Sequence, residues 1–178
     1  MFDEAPELVD DYTTMVNTVL GALVANPEPT REYLLNLALN CFWADDVDKE
    51  TMAVIGLGLS DVRVRDTIIW HMKTLDSEQL IKAMTLLIET GNIVYVNDEY
   101  DRHRVNHSLP AYTVAAVAAM LNDDKSNARD CINFVVDQGA PVYSLAALMH
   151  IALDADMPSD ALREEVLCLS YDSYRYGQ

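Results

Sequence analysis

The chain has 178 residues, 51% of them hydrophobic, with six Gly, six Pro and a formal net charge of −17. That length fits one domain with a sizeable core, and scarce Gly and Pro argue against disorder and turn-rich β architecture. The charge is concentrated at the ends: residues 1–61 carry 12 acidic against 2 basic residues, and residues 110–178 carry 10 against 4. A field of that sign repels phosphates and anionic membranes, so direct nucleic-acid and membrane binding are excluded as expectations.

Cys41, Cys131 and Cys168 are far apart and odd in number, which predicts buried thiols in a cytoplasmic protein rather than a disulfide framework. The acidic start Phe2-Asp3-Glu4-Ala5-Pro6-Glu7 lacks the basic and apolar regions of a signal peptide. No apolar run approaches the roughly 18 residues of a membrane span.

Apolar steps of three and four from Leu8 to Val24 predict a first helix, stopped by Asn26-Pro27-Glu28-Pro29. Thr30 is the expected cap of a second, through Phe42, whose nearly all-round apolar pattern predicts a central position. Asp45-Asp46-Val47-Asp48 reads as a turn with several capping candidates. Met52–Leu59 reads as a short helix whose Gly56 and Gly58 allow close packing. Ser60 or Asp61 caps Val62–Leu75. Asp76-Ser77-Glu78-Gln79 is a capping-box pattern. Leu80, Ile81, Met84, Leu87 and Ile88 follow as one apolar face, and Gly91 is the expected stop. Ile93-Val94-Tyr95-Val96 is strand-like and Asn97-Asp98-Glu99 turn-like, so residues 92–108 are expected to form an irregular connection with a short β-ribbon near 93–100.

Helices resume from Pro110 to Leu121, from Ser126 to Gln138 ahead of Gly139, from Val142 to Ala155, and from Ser159 to Leu169. The expected fold is therefore an all-α single domain over residues 1–178, a bundle of eight or nine helices arranged as antiparallel hairpins. Ala115, Ala116 and Ala119 with Ala128, bulky Ile132 and Val135, and the exit Pro141 predict tetratricopeptide-like geometry in the C-terminal third.

In this region Val142-Tyr143-Ser144-Leu145-Ala146-Ala147-Leu148, Ile151-Ala152-Leu153-Asp154-Ala155 and Met157-Pro158 resemble the actinobacterial domain-of-unknown-function family 4192, also met in phages of those bacteria. Asp61-Val62-Arg63-Val64-Arg65-Asp66 and Asn127-Ala128-Arg129 fit the same pattern. The resemblance covers Ser60–Pro158, and the family's N-terminal part has no counterpart. It implies a helical fold and an origin in an actinobacterium or its phage. It carries no activity.

His103 and His107 beside Asp98, Glu99 and Asp101 form the one constellation that suggests a metal, but two His four apart share a face only on a helix. His71 and His150 read as partly buried helix residues. The pairs Asp10-Asp11, Asp45-Asp46 and Asp123-Asp124 read as caps rather than acid–base pairs. Arg63 and Arg65 beside Asp61 and Asp66 read as a local charge network or an anion site. No GxSxG, HExxH or phosphate-loop pattern occurs, so no catalytic residue, cofactor, metal or small-molecule substrate is expected.

Tyr171, Tyr174 and Tyr176 are the candidate interaction residues, because clustered tyrosines give stiff amphipathic contact area; the alternative is that they cover the last hairpin. The expected function is a helical protein-interaction module, binding a protein partner or itself and, if phage-encoded, modulating a host protein. Two alternatives stand beside it: an acidic nucleic-acid mimic occupying a basic protein, and a metal-dependent protein centred on residues 98–107.

Overall fold

The computed structural model describes residues 8–101, 105–138 and 144–168. Among them it has nine helices: α1 Tyr12–Ala25, α2 Pro27–Cys41, α3 Lys49–Gly58, α4 Val62–Met72, α5 Ser77–Tyr100, α6 Leu109–Leu121, α7 Lys125–Asp137, α8 Ser144–Asp154 and α9 Ser159–Cys168. No strand occurs among the described residues. Buried side chains from Val9 to Leu162 form one continuous core.

Helix starts follow local chemistry. Asp48, Asp61 and Asp76 cap α3, α4 and α5 by accepting backbone N–H groups of the first turn, and Gln79 completes the capping box at Asp76. Asp124, not Ser126, caps α7 by accepting from the Asn127 N–H. Thr30 is not a cap either. α2 already begins at Pro27, with both prolines in its first turn, where a missing N–H removes no helical bond. The Thr30 hydroxyl instead donates to the carbonyls of Asn26 and Ala22.

The central helix is α6, not α2. All 13 residues of α6 are buried, whereas in α2 only Leu34 and Ala38 are. Five alanines let neighbours approach α6 closely, and α4, α5, α7, α8 and α9 all pack on it. α2 packs chiefly on α1, α3 and α4, so its apolar residues are shared between a modest interface and the surface.

The hairpins α6–α7 and α8–α9 are laced at their turns. Lys125 pairs with Asp156, Ser159 donates to Asp123, and Arg129 pairs with Asp154. In a stacked repeat each unit touches only its neighbours. Here α6 also packs on α4 and α5, so the pair is built into the bundle.

The expected stop at Gly91 and the β-ribbon near 93–100 are both corrected, since α5 runs unbroken to Tyr100. Gly91 serves a contact instead: a Cβ there would lie 2.9 Å from the Tyr112 ring of α6. The β-branched run is held helical by tertiary packing, which overrides its propensity. Val94 is buried against Gly56 of α3, and Tyr95 stacks edge-on to Phe134. Gly58 likewise admits Leu34 of α2.

Candidate functional site

Asp98 and His107, two members of the 98–107 constellation, form a buried tie. Asp98 is 4% exposed. Its Oδ2 accepts the His107 backbone N–H at 2.7 Å, and its Oδ1 lies 3.0 Å from His107 Nδ1. The Tyr12 hydroxyl donates to Oδ1 at 3.1 Å. One residue earlier, Asn97 Oδ1 accepts the Val9 N–H at 2.9 Å. At the surface of the same junction Thr13 donates to Asp101 at 2.8 Å. The C-terminal end of α5 thereby fixes both the start of α1 and the approach to α6.

Burial, reinforced by Asp98, pushes the Tyr12 hydroxyl well above the usual phenol range. It is therefore a fixed donor at neutral pH, and the geometry acts as structural glue. His103 lies outside the described residues, and His107 Nδ1 is committed to Asp98. Among the described residues no group of three or more His, Cys, Asp and Glu side chains is arranged to hold a metal ion.

The other singled-out groups are scattered. Tyr171, Tyr174 and Tyr176 lie outside the described residues. Burial pushes the Cys131 thiol up to about 12 and raises Cys41 as well, which disfavours the reactive thiolate in both. His71 is held below its ordinary value by burial and by Lys73, and packs edge-on to Trp70. His150 pairs with Asp154 at 3.0 Å. Arg65 pairs with Asp66 and Arg63 with Glu28, so a charge network is what the structure has there. The sequence did not reveal the fork of Arg31 on Asp61, 30 residues away.

A groove is the concave surface that sequence reasoning missed. It has a volume of about 430 Å³ and is open to solvent. One wall is the end of α2 and the connection to α3: Cys41, Phe42, Ala44, Asp45, Asp46 and Val47, with Met52 beyond. The other wall is Ile81, Lys82, Thr85, Leu86 and Glu89, one face of α5 at helical spacing. Phe42 and Leu86 are buried in its floor, while Ile81, expected on a core face, is 47% exposed at its lip. Trp43, beside the groove in sequence, is 49% exposed. Asp45 and Asp46 do not cap α3, since Asp48 does; they stand exposed on the rim with Glu89. Lys82 lies 3.9 Å from Asp45 and 3.8 Å from Glu78.

Comparison of the chain with protein-family models, curated proteins and solved structures finds no match. No described helix is long and apolar enough to cross a membrane.

Proposed function

We propose that this chain is a non-catalytic, cytoplasmic protein-interaction module that seats a protein partner in the groove between the α2–α3 connection and α5. The observation that carries the reading is an open concavity with an apolar floor, half-exposed Ile81 at its lip and Trp43 beside it. Large apolar side chains held at the surface around a concave site are the usual anchors of recognition. The resemblance over Ser60–Pro158 supports a source in an actinobacterium or its phage, where such a module would modulate a host protein.

The test is capture from an actinobacterial lysate by wild type, by Thr85→Arg in the groove, and by Leu148→Arg on the exposed face of α8. Thr85 and Leu148 are both exposed, so neither change burdens the core. The reading expects a partner that survives high salt, is lost with Thr85→Arg and is kept with Leu148→Arg. A basic nucleic-acid-binding protein, released by salt and indifferent to Thr85→Arg, would contradict it and favour an acidic mimic.

A further inference from the structure

We propose that the occupant of the groove is a basic amphipathic helix of a protein partner, and that Lys82 holds the place of that helix's cation until it docks. This rests on the reading that the groove is the interaction surface.

Three observations carry it. The lining has carboxylates at Asp45, Asp46 and Glu89 against one cation, Lys82. The floor beneath them is apolar, from Phe42 and Leu86 to the half-buried Met52. An occupant must therefore present apolar anchors on one side and positive charge beside them, which is the pattern of an amphipathic helix in a groove. The α5 face from Ile81 to Glu89 spans about 12 Å, enough for two turns of such a helix to lie along it.

The third observation is the state of Lys82. Its ammonium reaches Asp45 and Glu78 only at 3.8–3.9 Å, and Asp45 is 98% exposed. Pairs this loose and solvated are worth little, so another cation can replace them readily. An arginine fork on Asp45 would make two short charge-assisted bonds where Lys82 makes one long contact. The chain's charge of −17 also draws a basic segment toward it, most strongly at low ionic strength.

The experiment uses three fluorescein-labelled peptides of about four helical turns: a Leu/Arg amphipathic helix, a scramble of it without an apolar face, and a Leu/Gln amphipathic helix. Anisotropy titrations are run on wild type, on Asp45→Asn/Asp46→Asn/Glu89→Gln, on Lys82→Gln and on Thr85→Arg. The expected order is Leu/Arg tightest, with the scramble and the Leu/Gln helix each about tenfold weaker. The triple variant should weaken the Leu/Arg helix about tenfold, and Lys82→Gln should tighten it about threefold. Equal binding of the Leu/Arg helix and its scramble, unaffected by Thr85→Arg, would mean attraction to net charge alone and would overturn both this proposal and the groove reading. Equal binding of Leu/Arg and Leu/Gln helices, both lost with Thr85→Arg, would keep the groove and overturn its basic occupant. Unchanged or weaker binding by Lys82→Gln would overturn the placeholder role. Failure of the Leu/Arg helix to bind at millimolar concentration would overturn the whole proposal.

Discussion

Gly91 of α5 faces the ring of Tyr112 on α6 so closely that a Cβ at 91 would stand 2.9 Å from two of its carbons. The ring cannot easily retreat. Phe134 packs against it at 4.3 Å between centroids, and the Tyr112 hydroxyl donates to Asn92 Oδ1. Gly91→Ala should therefore destabilise the fold by about 1–2 kcal/mol despite the better helix propensity of Ala. Gly21→Ala is the control. Nothing lies within 4 Å of its added Cβ, so propensity alone acts and stability should rise by up to about 1 kcal/mol. Urea unfolding of the two variants reads both signs, and a stabilising Gly91→Ala would contradict the packing account.

Asp98 joins residues 86 positions apart in the chain, Tyr12 and itself, and also holds His107. Asp98→Ala removes from the core the carboxylate that accepts from the Tyr12 hydroxyl and the His107 backbone N–H and pairs with the His107 ring. The expected loss is about 3 kcal/mol or more. Tyr12→Phe removes one donor and should lose only about 1 kcal/mol. A native-like melting temperature for Asp98→Ala would show that the tie does not hold the α1 junction.

Alkaline pH should weaken the fold. Tyr12 and Cys131 are both raised, mainly by burial, from ordinary values of 10.0 and 9.0. Groups raised on folding lend stability that is complete below their unfolded values and drains as pH climbs through the folded ones. Stability should thus be flat from pH 7 to about 9 and fall above that. Cys131→Ala should make the decline shallower in the first unit, and an identical slope would count against the assignment.

Thr90 is buried between α5 and α3, and its hydroxyl is the buried side-chain atom without a hydrogen-bond partner among the described residues. Thr90→Val keeps the shape and removes the stranded oxygen. It should be neutral or stabilising by up to about 1 kcal/mol in chemical denaturation. A loss above that size would mean the hydroxyl is satisfied in solution.

How far the sequence could be read follows from the range of each interaction. The capping box at Asp76 involves residues three apart and was legible for that reason, whereas Asp48 and Asp61 stood among neighbouring candidates that equally local chemistry offered, and Asp124 was passed over for Ser126. Gly91 looked like a stop because a glycine that ends a helix and one that admits an aromatic ring are alike locally. Only Tyr112, 21 positions on, distinguishes them. The run Ile93-Val94-Tyr95-Val96 has strand propensity, and Gly56 and Phe134 decide against it. Asp98 and His107 were visible as neighbours in the chain, but their role depends on Tyr12 and on burial. The groove was illegible, because its walls come from residues 41–52 and 81–89 and exist only once α2, α3 and α5 have packed. Asp45 and Asp46 could be seen as carboxylates, but not as a rim.

The most direct test of the groove as the interaction surface is a backbone amide NMR titration of the full chain with the Leu/Arg amphipathic peptide. The account predicts shifts confined to residues 41–47 and 81–89 and absent in Thr85→Arg. Shifts centred on Leu148 and Ile151 of α8, with the groove silent, would contradict it.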